Sequence, residues 1–126
     1  MNPPRRPVHL DLLRIHLPLM GWVSILHRVS GALLALAFPV AVWALASALA
    51  DPAGYARIAA LLDSVPAKLV VLGLVWALAL HFFAGLRHLA LDLHRGLALA
   101  QARRTSVAVL VLSGLVTLAA AWRLFS

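Results

Sequence analysis

The sequence predicts an all-α membrane protein with three transmembrane helices, and three observations support this prediction. Apolar residues make up 63% of the 126 residues, whereas soluble domains usually contain about 45–50%. Charged residues account for only 12%, which is too few to cover the surface of a soluble domain of this size. The apolar residues fall into three runs, each at or near the ~20 residues that cross a bilayer as a helix. We therefore expect a single membrane domain and exclude a soluble globular protein and a disordered chain.

Each apolar run is bounded by residues that end or begin helices. The expected spans are about residues 22–50, 66–88 and 105–124, after an N-terminal segment of residues 1–20. The first span ends at residues 51–54, Asp-Pro-Ala-Gly, whose composition is typical of a turn. Pro66 begins the second span at a position where its missing N–H costs no hydrogen bond. Pro39 lies inside the first span, where we expect it to kink the helix.

The basic residues outside the spans predict the orientation of the chain. Counted against the charge-free apolar runs at residues 29–50, 69–86 and 106–122, four basic residues precede the first run and four lie between the second and third: Arg5, Arg6, Arg14 and Arg28, then Arg87, Arg95, Arg103 and Arg104. The connection between the first and second spans is neutral, with two basic and two acidic residues. Because positively charged loops stay in the cytoplasm, we expect the N-terminus there and the C-terminus on the opposite side.

The composition also limits the chemistry of the chain. Cysteine is absent, which excludes a disulfide framework, a thiolate metal site and an iron–sulfur cluster ligated by this chain. An electron-transfer role therefore requires a histidine-ligated cofactor or a partner subunit. The net charge is +7, but the charges flank apolar runs and do not form one basic face. This placement favours a lipid bilayer as the partner and argues against nucleic acid.

Ionisable residues inside membrane spans are costly and mark functional sites. His81 is such a residue, and it lies 14 residues after Ala67, about 21 Å along a helix that enters from the far side. Gly85, His88 and Asp92 follow it at helical spacing, so all four residues share one face. A gap at Gly85 would let a flat macrocycle approach the helix backbone.

A second polar stripe lies on the first helix. It consists of Ser24, His27, Arg28 and Gly31. Each member has a structural alternative: a histidine in a span can bond to a neighbouring helix, and Arg28 or Arg87 can snorkel to lipid headgroups. Gly31 with Ala35 also suits close packing of helices. The two stripes end at the same membrane interface, and this convergence favours a functional site.

The motifs that carry these stripes resemble those of a known family. They are residues 6–12 (RPVHLDL), residues 24–31 (SILHRVSG) and residues 81–88 (HFFAGLRH) followed by Asp92. Together they resemble the cytochrome b membrane-anchor subunit of succinate dehydrogenase, the large anchor subunit of respiratory complex II. The resemblance extends from Arg6 through the third helix.

The resemblance implies a helical bundle completed by a second small anchor subunit in a bacterial inner membrane, with the C-terminus in the periplasm. It implies a flavoprotein subunit and an iron–sulfur subunit as further partners, and a role in electron transport to ubiquinone. His81 matches an axial ligand of the iron of haem b, and the partner anchor would supply the second histidine. Ser24 and Arg28 match quinone-site residues. His27, Arg28 and His88 match positions near the haem propionates.

Two alternatives remain open from the sequence. The chain could be the anchor of a quinol:fumarate reductase, which differs in quinone type and in the direction of electron flow. It could also be a small helical membrane protein without a cofactor. In the main interpretation this chain contributes to a quinone site but contains no catalytic residue of the dehydrogenase.

Overall fold

The computed structural model describes residues 17–126, and the regular elements in this range are all helices. They are α1 (Leu19–Ala50), α2 (Pro52–Asp63), α3 (Val65–Asp92) and α4 (Leu99–Phe125). Helices α1, α3 and α4 are each long and apolar enough to cross a membrane, and each contains one of the three expected spans. This confirms the all-α membrane fold. The motif at residues 6–12 and most of the N-terminal segment lie outside the described residues.

The connection between the first two spans is a helix, which the sequence interpretation missed. Asp51 ends α1 as expected, but it also begins α2, because its carboxylate accepts a hydrogen bond of 2.6 Å from the backbone N–H of Gly54. Pro52 occupies the first turn of α2, where proline is favoured. The expectation of a turn at residues 51–54 is therefore wrong. An N-capping aspartate followed by proline is a helix-start signal, and it could have identified α2.

Helix α2 packs closely on α1 and is joined to α3 by capping contacts. A Cβ at Gly54 would collide with the backbone carbonyl of Ser47, so only glycine permits this approach. Ser64 caps α3, with Pro66 in its first turn as predicted. The Nζ of Lys68 lies 2.7 Å from the Oδ1 of Asp63. The hydrogen bond and the charge of Lys68 hold the pKa of Asp63 below its ordinary value.

A tight turn returns the chain from α3 to α4. The N–H of His94 bonds to the carbonyl of Leu91, and the N–H of Arg95 bonds to the carbonyl of Ala90. This pair of bonds is a Schellman motif, which needs a left-handed residue after the cap. His94 takes that position with φ of 57°, a conformation more common in glycine and asparagine. The turn brings the first residues of α4 to the end of the bundle at which α3 finishes.

Helix α3 lies at the centre of the bundle and packs against both α1 and α4. At one level of the bundle the three long helices meet in a core formed by Val23, Ala84 and Val109. Phe83 and Leu110 pack against this core. Several of the most buried residues of α3 and α4 are small, namely Ala77 and Ala84 on α3 and Ala102, Ser106 and Ser113 on α4. Small residues allow membrane helices to approach closely.

Most large apolar side chains point away from this core. Leu36, Phe38 and Leu118 are each about two-thirds or more exposed, with exposed fractions of 73%, 69% and 68%. Exposed apolar surface of this extent is typical of a chain covered by lipid or by partner subunits. Helix α1 continues without interruption through Pro39.

Candidate functional site

The three predicted site histidines lie side by side between α1 and α3. The ring centroids of His27 and His81 are 4.3 Å apart with planes inclined by 22°, which is a stacked arrangement. The rings of His27 and His88 are 4.9 Å apart and inclined by 38°. His27 and His81 are 54 residues apart in the chain, so the packing of α1 on α3 creates the cluster.

The His81 ring is held by two oxygen atoms of α1. Its Nδ1 lies 3.1 Å from the backbone carbonyl oxygen of His27 and 3.3 Å from the Oγ of Ser30. The Ser30 hydroxyl donates its proton to the same His27 carbonyl, at 2.9 Å. A carbonyl only accepts hydrogen bonds, so the Nδ1 of His81 carries the proton. The lone pair is therefore on Nε2, as in a histidine that binds a metal through Nε2.

Gly31 provides the space that the His81 ring occupies. A Cβ at Gly31 would lie 2.8 Å from Cε1 and 3.2 Å from Nδ1 of His81, and the first distance is shorter than van der Waals contact permits. Gly31 therefore lies against a side chain of α3, and the predicted close packing of the Gly31 and Ala35 pair stays a prediction. Ala35, which the sequence paired with Gly31, is exposed.

Gly85 faces the same cluster from α3. A Cβ at Gly85 would meet the Nε2 of His27 at 3.7 Å, an ordinary contact distance. The His27 imidazole thus lies beside the backbone of α3. The expectation that Gly85 lets a flat macrocycle approach stays a prediction.

The three clustered imidazoles do not form a metal centre by themselves. Within residues 17–126 no group of three or more histidine, aspartate or glutamate side chains is arranged to hold a metal ion. Stacked rings present their faces to one another, whereas the lone pair of an imidazole lies in the ring plane.

Ser24 and Arg28 lie one turn apart on α1. Ser24 is partly buried and Arg28 is exposed. The hydrogen bonds found among residues 17–126 connect neither side chain to the histidine cluster. The structure thus brings the histidines of the two stripes into contact, whereas Ser24 and Arg28 lie on α1 without a hydrogen bond to them among residues 17–126.

Arg87 is a buried residue whose environment sequence reasoning missed. Its side chain is 9% exposed, and its Nε donates a hydrogen bond of 3.2 Å to the Oγ1 of Thr105 on α4. The Thr105 hydroxyl donates in turn to the carbonyl of Ala102. Arg87 therefore packs between α3 and α4 and does not extend to the lipid surface. Its position seven residues after the buried Leu80 puts both residues on one face of α3, but the sequence alone does not show which helix that face meets.

Comparison with known proteins independently supports the family resemblance that the sequence motifs indicate. Residues 2–120 match the family described as "Succinate dehydrogenase/Fumarate reductase transmembrane subunit". The chain is similar to the "Succinate dehydrogenase cytochrome b556 subunit" of Coxiella burnetii, at 37% identity over 120 residues, 94% of this chain and 96% of that protein. It is also similar to the protein of that name from Paracoccus denitrificans, at 34% identity over 119 residues, 94% and 90% of the two chains. The chain therefore belongs to the succinate dehydrogenase/fumarate reductase transmembrane subunit family.

Proposed function

We propose that this chain is a haem-binding membrane anchor of a succinate:ubiquinone oxidoreductase. The observation that carries the proposal is the His81 ring, whose protonated Nδ1 is held by α1 and whose Nε2 forms no hydrogen bond within residues 17–126, so that its lone pair can bind iron. Two relatives carry the name cytochrome b556, which supports haem b as the cofactor. Both are also named succinate dehydrogenase, which favours succinate oxidation over fumarate reduction.

The donor chemistry of the cluster fits a haem that His81 would hold. His81 would bind the iron, and a histidine of the second anchor subunit would complete a bis-histidine site. When bound, such a haem would accept and pass on single electrons. His27, Arg28 and His88 supply cationic or hydrogen-bonding groups for the two propionates, whose buried charge is expensive without partners.

Ser24 and Arg28 are the residues of this chain that we assign to ubiquinone. A quinone oxygen gains negative charge as it is reduced, so a hydroxyl donor and a guanidinium stabilise the reduced form more than the quinone. The partial burial of Ser24 and the exposure of Arg28 suit a pocket that other subunits complete. The apolar tail of the quinone would extend along the lipid-facing surface.

The partners follow from the same assignment. A second small anchor, an iron–sulfur subunit and a flavoprotein subunit would complete the complex, with the soluble subunits on the cytoplasmic face. Packing of α1 on α3 brings Arg28, Arg87 and the basic start of α4 toward one end of the bundle. This concentration of charge supports a cytoplasmic N-terminus and a periplasmic C-terminus in a bacterial inner membrane.

A difference spectrum tests the proposal directly. The chain is expressed together with its partner subunits, and the purified complex is recorded in its reduced and oxidised forms. We expect the α band of a b-type haem and reduction of that haem by succinate. A complex that contains this chain but shows no such band would favour a helical membrane protein without a cofactor.

The variant His88→Ala separates the roles of the histidines. The His88 ring lies 4.9 Å from that of His27, and we assign it to a propionate, so we expect it to act on the haem without binding iron. The variant should keep its haem and change its midpoint potential. Potentiometric titration of the purified complex, followed by its absorbance, measures both the haem content and the midpoint potential. An unchanged midpoint potential would contradict the assignment of His88 to the haem.

A further inference from the structure

We infer that Ser30 and Gly31 are positioning residues for the axial imidazole of His81. The Ser30 hydroxyl fixes the protonated Nδ1 of the ring, and Gly31 leaves the space in which the ring lies. The inference rests on the proposed function, because it concerns the histidine assigned to the haem iron.

Ser30 is fully buried, with an exposed fraction of 0%. Like many serines in membrane helices it bonds to its own helix, donating to the carbonyl of His27 at 2.9 Å. Because its proton is used in this bond, the Oγ can act only as an acceptor toward the Nδ1 of His81, 3.3 Å away. Ser30 and the His27 carbonyl therefore share the single Nδ1 proton of His81.

This arrangement has an electronic consequence for a bound metal. A hydrogen bond from the non-ligating nitrogen fixes the tautomer of a ligand histidine and raises its basicity. A more basic imidazole stabilises ferric iron relative to ferrous iron, which lowers the midpoint potential. Removal of one of the two acceptors should therefore weaken the bond of His81 to iron and raise the potential.

Gly31 acts by leaving room for the His81 ring and not by a hydrogen bond to it. A Cβ there would be 2.8 Å from the Cε1 of His81, and the neighbouring His27 ring at 4.3 Å limits how far the His81 ring can move away. A methyl group at this position must rotate or displace the ring, which would take Nδ1 away from its two acceptors.

The test of Ser30 uses the whole purified complex and compares three serine variants. Ser30→Ala removes the acceptor, Ser30→Thr keeps a hydroxyl, and Ser113→Ala is the matched control. Ser113 is also a buried helix serine, but it donates only to the carbonyl of Val109 on α4. The readouts are the rate of haem loss to excess apomyoglobin and the midpoint potential of the haem.

We expect Ser30→Ala to lose haem about tenfold faster than the parent complex and to have a higher midpoint potential. Ser30→Thr should lie closer to the parent in both measurements, and Ser113→Ala should match the parent. Equal changes in the Ala and Thr variants would indicate packing alone and would overturn the role of the hydroxyl.

Gly31→Ala provides the second test, with Gly73→Ala on α3 as its control. A Cβ at Gly73 meets no atom within 4 Å, so this control should keep the parent spectrum and haem content. Gly31→Ala should lose haem faster and shift the α band. Parent-like haem in Gly31→Ala would overturn the role of Gly31.

The His81→Ala variant distinguishes failure of this inference from failure of the proposed function. If His81→Ala loses haem while the Ser30 and Gly31 variants match the parent, only the positioning role is wrong. If His81→Ala itself keeps full haem, the ligand assignment is wrong and the inference falls with it.

Discussion

Replacement of His81 by alanine is expected to abolish haem retention while the chain still inserts into the membrane. The variant removes the Nε2 lone pair that the hydrogen bonds of Nδ1 leave free for iron. It leaves the three long apolar helices unchanged, so insertion should not be affected. Haem content per complex is measured by absorbance after purification, and the amount of chain in membranes is measured by immunoblotting.

His94→Asn is a suitable control for this experiment. His94 lies in the turn between α3 and α4 with φ of 57°, and asparagine tolerates that conformation. The control should retain haem. Full haem content in His81→Ala would refute the ligand assignment. Loss of haem in His88→Ala together with retention in His81→Ala would show that the roles of the two histidines are exchanged.

The second large effect is expected for the quinone reaction of Arg28→Leu. This change removes a charge that we assign to both a propionate and the quinone. Ser24→Ala removes one hydrogen-bond donor, a loss of about 0.5–1.5 kcal/mol, or about 2- to 12-fold in rate. Arg28→Leu should have the larger effect, because hydrogen bonds from charged groups contribute about 1.5–3 kcal/mol.

The measurement is the ratio of two activities in each purified complex. One is the reduction of ubiquinone by succinate, and the other is succinate oxidation with an artificial acceptor that takes electrons before the quinone. We expect the ratio to fall in both variants and to stay constant in Arg57→Leu, which changes an exposed arginine of α2. Equal loss of both activities would mean that Ser24 and Arg28 act in assembly and not at a quinone site.

The sequence alone was sufficient to locate the three long helices. Lipid offers no hydrogen bonds to the backbone, so an apolar run of sufficient length must form a helix whatever surrounds it. The same reasoning does not apply to α2, which lies between two spans and is not forced by lipid to be helical. There the helix-start signal of Asp51 and Pro52 stands beside the turn-forming residues Asp51, Pro52 and Gly54, and the sequence interpretation followed the turn. In the folded chain Gly54 lies against the backbone of α1, a contact that the sequence does not show.

The features of the candidate site likewise fall into those that the sequence predicts and those that only the packing of helices determines. Helical spacing by itself places His81 and His88 on one face of α3, because that relation depends only on the geometry of a single helix. Tertiary structure decided three further features. They are the stacking of His27 on His81, the sharing of the Nδ1 proton of His81, and the burial of Arg87 beside Thr105. These contacts depend on the rotation and depth of one helix against another. Small residues such as Gly31 and Ala84 set that approach, and its geometry appears only when the helices pack.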